Sequence, residues 1–223
     1  MIAKYWIAGQ VKTRLARDLG NQAAAQIQQE FTLHLAQSLA RAADDRYVFT
    51  APDSACDDMQ IAIGQAWKAR PQGAGDLGQR ISSAFQFLMN QASSARPVNA
   101  VLIGSDLPSL TIPDITAAFE ELEDVEIVLG PARDGGYYLI GLRGPWNEAY
   151  QSLFEAISWS SDQVLAQTVQ NAGRIGMMPR LLEVREDIDT LESLQRTFAC
   201  GAIPQGLRAG VAALLDDGSM PCR

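Results

Sequence analysis

Short apolar runs bounded by turn residues alternate with longer stretches of helical period along most of this chain. That alternation limits the fold more than any other feature. Residues 1–6, 47–51, 98–104, 125–129 and 137–142 read as strands, and 179–184 as a candidate last one. Residues 21–43 read as a long helix whose apolar stripe is Ala24, Ile27, Phe31, Leu35 and Leu39. Further helices are expected over about 76–91, from Thr111 with Pro113 in its first turn, over 160–171 and over 190–199. Ser160 and Gln163 have the spacing of a capping box for the third of these. Strands separated by helices imply a parallel or mixed sheet covered on both faces. No linker, repeat or low-complexity tract interrupts the 223 residues, so a single domain is expected. Residues 206–217 are weakly patterned and read as a short or fraying helix.

Charge and cysteine usage narrow the partners. The net charge is -8 and the basic residues form no run, which argues against nucleic acid or an anionic membrane surface. A nucleotide stays open, because a few placed cations suffice for it. Cys56, Cys200 and Cys222 are few, odd in number and far apart, a pattern expected of reduced thiols in a cytoplasmic protein. The first residues lack the order of a signal peptide, and no apolar stretch is long enough to span a bilayer.

In open α/β sheets, ligands bind beyond the carboxyl ends of the strands, so the loops there are where chemistry is sought. The first is Gly9-Gln-Val-Lys-Thr-Arg14. Glycine lets backbone approach a ligand, and Lys12 and Arg14 supply positive charge suited to phosphate. It is not a Walker A loop, and a solvated turn with two surface cations explains its composition about as well. The second loop is Gly104-Ser-Asp-Leu-Pro108. Asp106 ends the most apolar strand, where a carboxylate needs a partner: a hard cation such as Mg²⁺, or, more commonly, nearby backbone amides. The third loop contains Asp187 and Asp189. Either is a candidate second metal ligand, while Asp189 with Glu192 also fits a helix N-cap. The fourth is Gln72-Gly-Ala-Gly-Asp-Leu-Gly-Gln-Arg80. Asp76 with Gln79 fits a cap, but Gly73, Gly75 and Gly78 exceed what a cap requires and point to backbone packed on a flat ligand. His34, the one histidine, reads as a helix-face residue, which makes a Ser-His-Asp triad or a histidine-rich metal site a poor fit.

These stretches, with "GPARDGGYYLIGL" at 130–142, "ISWSSDQVL" at 157–165 and "DIDT" at 187–190, resemble the bacterial glycosyltransferase-like proteins of the nucleotide-diphospho-sugar transferase superfamily. Guanylyltransferases acting on phospholactate or molybdopterin belong to the same superfamily. The resemblance covers roughly residues 3–199, leaving 200–223 as a tail. It implies one GT-A-type, Rossmann-like α/β domain over 1–199, a three-layer sandwich with a mostly parallel mixed sheet. It also implies Mg²⁺ or Mn²⁺ held by Asp106 and Asp189, and nucleotide phosphates held by Gly9, Lys12, Thr13 and Arg14. Gln72, Gly75 and Asp76 would lie on the base side. Asp134, Gly135, Gly136, Tyr137 and Trp159 would line the acceptor or sugar side, with Asp134 orienting or deprotonating an acceptor hydroxyl.

Transfer from a nucleotide donor releases a diphosphate that gains negative charge, which a metal, Lys12 and Arg14 would stabilise as it develops. Attack at the donor carbon would make the protein a glycosyltransferase acting on a small-molecule acceptor. Attack at the α-phosphorus would make it a nucleotidylyltransferase, and a cleft that only binds would make it a non-catalytic nucleotide-binding protein. Fold alone does not separate these readings.

Overall fold

The computed structural model describes residues 1–90 and 98–217. Gln91, the expected end of the second helix, and Cys222 lie outside the described residues. The chain forms two compact units. The first is built from Met1–Pro71, Ser105–Thr111 and the chain from Glu186 onward, and the second from Gln72–Gly104 and Ile112–Arg185.

The first unit holds a parallel sheet of β1 (Ile2–Lys4), β2 (Tyr47–Ala51) and β3 (Lys68–Pro71), in that order. Helix α1 (Thr13–Ser38) connects β1 to β2, and α2 (Cys56–Ile63) connects β2 to β3. Helices α1, α6 (Leu191–Ala199) and α7 (Gln205–Asp217) share one core. It contains Leu15, Ile27, Phe31, Ile188, Leu194, Ile203, Leu207 and Val211, each no more than 3% exposed. All five stripe residues are buried, Ala24, Ile27, Phe31 and Leu35 within α1 and Leu39 at its C-cap, as amphipathic helical spacing requires. The helix differs from expectation at both ends, stopping at Ser38 with Leu39 as its C-cap rather than running to residue 43. It begins at Thr13, and Gly20, at φ 82 and ψ 160, breaks its helical geometry just before the stretch whose period is legible. Leu207 and Val211 bury the apolar side of α7, which explains why this weakly patterned segment is helical.

The second unit holds a mixed sheet in the order β4 (Ala100–Ile103), β6 (Tyr137–Leu142), β5 (Ile127–Pro131), β7 (Arg180–Leu181). Strand β6 is antiparallel to both neighbours, while β5 and β7 are parallel. Helices α3 (Leu77–Asn90), α4 (Ile112–Glu121) and α5 (Val164–Arg174) belong to this unit. Helix α5 starts later than its expected cap. Ser160 sits at φ 65, and Ser161 instead gives its hydroxyl proton to Ser158 O while accepting from Gln163 N. Gln163 is the residue at the helix boundary, and it makes no side-chain cap. Two short elements, α2 and β3, carry too little pattern to be read from sequence.

Candidate functional site

In the first unit, three separate stretches of chain meet at one lysine. The loop after β1 turns at Ile7–Gln10, where Gln10 N donates to Ile7 O at 3.0 Å and Gly9 takes φ 83. Lys12 then adopts a left-handed conformation, φ 41 and ψ 48, and α1 starts directly after it. An L-residue in that conformation costs about 1–2 kcal/mol, so glycine would suit the backbone better. What the lysine supplies is its side chain. Its ammonium donates to Asp106 Oδ1 at 2.5 Å and to the Ile188 carbonyl at 2.7 Å, and stands 3.7 Å from Asp189 Oδ1. The Phe31 ring lies on its other side, 5.3 Å from the ammonium to the ring centroid.

Burial separates the charges. The Lys12 side chain is 1% exposed, whereas those of Asp106 and Asp189 are 40% and 38% exposed. The carboxylates thus keep a face to solvent while the cation beneath them has none. A solvated loop lysine is not what the chain makes. Arg14 and Thr13, by contrast, are exposed in the first turn of α1. That turn contains no acidic residue of its own, and its boundary residue makes no side-chain cap.

The rest of the scaffold fixes this meeting point. Gln28, buried in α1, donates to Ser105 Oγ at 2.8 Å and so holds the turn that carries Asp106. Ile188 N donates to Asp106 O at 2.9 Å, and the Ile188 side chain is buried in the core around Phe31. The flanking residues Asp187 and Asp189 therefore have a common anchor, and one carboxylate oxygen of each lies within 4.8 Å of the other. Asp189 Oδ1 lies 3.7 Å from the Lys12 ammonium. Its reading as a helix cap is overturned. Thr190 caps α6, accepting from Ser193 N at 3.1 Å, while Ser193 Oγ accepts from Thr190 N in return. Sequence inspection missed Gln28 and the Ile188 carbonyl. A glutamine on the buried side of an apolar stripe was the one available signal for the first, and a backbone carbonyl leaves no signal at all.

The second unit places the other expected residues. Asp76 caps α3 reciprocally with Gln79, with Gln79 N to Asp76 Oδ1 at 2.9 Å and Asp76 N to Gln79 Oε1 at 3.0 Å. Two of the three glycines there have reasons within the fold. A Cβ at Gly75 would fall 2.3 Å from Gln79 Oε1, and one at Gly78 would fall 2.6 Å from Phe154 O and 2.9 Å from the Trp159 ring. A Cβ at Gly73, at φ 80, would meet no atom within 4 Å among the described residues. Gln72 is buried and Arg80 Nη1 donates to its Oε1 at 3.5 Å.

Asp134 is exposed at the tip of the β5–β6 hairpin, where its Oδ1 accepts from Gly136 N at 2.8 Å. Gly135 stands at φ 89, where a Cβ would fall 2.2 Å from Asp162 O. The glycines before β6 thus serve a tight turn pressed against a neighbouring backbone segment. Behind the tip, the Tyr137 hydroxyl is fully buried near the Thr168 hydroxyl. Burial pushes its phenol far above the ordinary range, the Thr168 hydroxyl opposing the shift in part.

Comparisons with known proteins bear on the family and the fold. A family model described as an uncharacterized protein conserved in bacteria, DUF2064, matches residues 32–161, more than half of the chain. A crystal structure of a "putative nucleotide-diphospho-sugar transferase" from Desulfovibrio desulfuricans G20 is 29% identical, with a TM-score of 0.84 over 97% of this chain and 92% of that one. The 4-diphosphocytidyl-2C-methyl-D-erythritol synthase of Anaerococcus prevotii DSM 20548 shares the fold at 10% identity, with a TM-score of 0.54 over 89% of this chain and 93% of that one. So does a CMP:2-keto-3-deoxy-manno-octonic acid synthetase complexed with CTP, at 11% identity and a TM-score of 0.52 over 90% of this chain and 96% of that one. No curated protein matches. The fold is that of the nucleotide-diphospho-sugar transferases. Among the described residues, no helix is long and apolar enough to cross a membrane.

Proposed function

Starting from the fact that the chain belongs to the DUF2064 family, we propose that it is a metal-dependent glycosyltransferase that takes a nucleotide-sugar donor and passes the sugar to a small-molecule acceptor. One observation carries the reading. Asp106 and Asp189, distant in sequence, bring half-exposed carboxylates to a single cation at the start of α1. The donor set fits a hard divalent ion, Mg²⁺ or Mn²⁺, which takes one or two carboxylates and fills its remaining positions with phosphate and water. Bound there by Asp106 and Asp189, such an ion would supply positive charge to offset the negative charge developing on a leaving diphosphate.

This chain's residues do the rest. The uncapped first turn of α1 presents backbone N–H groups, Thr13 and the Arg14 guanidinium to the phosphates. Gly9 leaves the loop backbone approachable. Gln72, Gly75 and Asp76 carry the base side. Asp134, with Gly135, Gly136, Tyr137 and Trp159, carries the acceptor side, where Asp134 orients the attacking hydroxyl. The likeness to the "putative nucleotide-diphospho-sugar transferase" from Desulfovibrio desulfuricans G20 supports sugar transfer. A second reading, nucleotidyl transfer with release of pyrophosphate from a nucleoside triphosphate, draws support from the two synthetases that share the fold.

Melting temperature in the presence of Mn²⁺ with a panel of sugar nucleotides and nucleoside triphosphates tests the proposal, because a ligand bound only by the folded state raises it. A sugar nucleotide with Mn²⁺ should stabilise the parent protein and be turned over, and Asp106→Ala should lose the metal-dependent part of the shift. Pyrophosphate release from a triphosphate would replace the first reading with the second. An Asp106→Ala protein that responds to metal and nucleotide as the parent does would refute the metal site.

A further inference from the structure

We propose that Lys12 is the internal counter-ion of the Asp106–Asp189 pair and that its fixed charge sets how strongly this site takes a divalent ion before any nucleotide arrives. The proposal rests on the metal reading above but concerns a different property of it. A lysine in a phosphate loop is expected to reach outward to phosphate. Here the ammonium is committed inward. Its hydrogen bonds go to Asp106 Oδ1 and the Ile188 carbonyl, Asp189 Oδ1 lies 3.7 Å away, and Phe31 covers the remaining side. With 1% of its side chain exposed, Lys12 has no solvent-facing surface to offer a phosphate. Arg14, exposed two residues later, takes that task.

The consequence is electrostatic. Two carboxylates facing one point attract a divalent cation, but a buried ammonium in contact with one and close to the other has already neutralised much of their charge. Like charges a few ångströms apart in a partly buried site repel strongly, because little water lies between them. The two carboxylates alone are then a poor divalent site. The negative charge of donor phosphates supplies what Lys12 has removed, so metal and nucleotide bind as a unit. The same ammonium bonds to the 188 carbonyl, so it also positions Asp189 beside Asp106.

The test is Mn²⁺ binding in the absence of nucleotide, followed by electron paramagnetic resonance, for the parent and for Lys12→Met, Lys12→Gln and Lys12→Arg. Lys12→Met and Lys12→Gln should bind Mn²⁺ at least tenfold more tightly than the parent, and Lys12→Arg, which keeps the charge, should match it. Tightening cannot arise from structural damage, which only weakens a site. Lys12→Gln keeps an amide donor for the Ile188 carbonyl and is the variant to read where Lys12→Met loses its cooperative melting transition. Unchanged or weaker Mn²⁺ binding in a neutral variant that still melts cooperatively overturns the proposal. If Asp106→Ala has already lost metal-dependent nucleotide binding, that outcome removes only the role of Lys12. If Asp106→Ala behaves as the parent, the metal reading and this inference fall together.

Discussion

Replacing Gly135 with alanine tests whether the Asp134 hairpin tip needs glycine for its turn alone or also for the backbone it touches. Two costs add at this position. The first is conformational. At φ 89, a side chain is placed in the left-handed region, at about 1–2 kcal/mol. The second is steric. The new Cβ would stand 2.2 Å from Asp162 O, 2.5 Å from its Cα and 2.6 Å from its carbonyl carbon, all inside the 3.0 Å that real Cβ contacts respect. Each of these is a backbone atom, so no rotamer change relieves the overlap. The hairpin also donates no slack, because Leu165 N bonds to Gly135 O at 2.8 Å and Ala132 N to Gly136 O at 3.0 Å. Forcing extra volume into a packed site costs about 1–3 kcal/mol. The two terms together give about 3 kcal/mol, which in a chain of this size lowers the melting temperature by about 6–12 °C. Gly73→Ala is the matched control. It has nearly the same φ, 80, and nothing within 4 Å of its Cβ, so only the conformational cost applies. Calorimetric melting of the two variants and the parent reads both. The Gly135→Ala loss should be at least twice the Gly73→Ala loss. Equal losses would refute the close approach to Asp162 and leave a simple turn.

Helices α6 and α1 each offer a smaller test. Thr190→Ala removes the cap of α6 and should destabilise by about 1 kcal/mol, whereas Asp189→Ala should cost less in the absence of metal and nucleotide; a larger melting-temperature loss for the Asp189 variant would restore that residue as the cap. Burial in α1 lowers the His34 pKa, so below its unfolded value of about 6.5 the unfolded chain binds more protons and stability falls as pH drops from that value through the folded pKa. His34→Gln should flatten this fall, and melting curves for the two proteins that stay parallel from pH 7.5 to 5.5 would rule the histidine out.

Period and punctuation in the sequence were enough to place most elements of the two sheets, because an amphipathic stripe such as Ala24, Ile27, Phe31, Leu35 and Leu39 has one helical solution. The same local reasoning located the loops that carry Asp106, Asp187 and Asp189, since a carboxylate at the end of an apolar strand stands out against its surroundings. It also recognised the reciprocal cap of Asp76 and Gln79, a feature contained within four residues. What it left undecided were choices between local and distant partners. Asp189 fits a cap by spacing, but Thr190 and Ser193 form that cap, and Asp189 instead approaches a lysine from the far end of the chain. Gly78 reads as a ligand-facing glycine until Phe154 and Trp159 occupy the space beside it. Lys12 fits a surface cation about as well as a phosphate ligand, because sequence shows charge but not depth. Burial, the convergence of residues 12, 106 and 188–189, and the backbone conformation at Lys12 are properties of packing between segments far apart in the chain. Spacing along the sequence carries no information about those distances, so only the tertiary structure decides them.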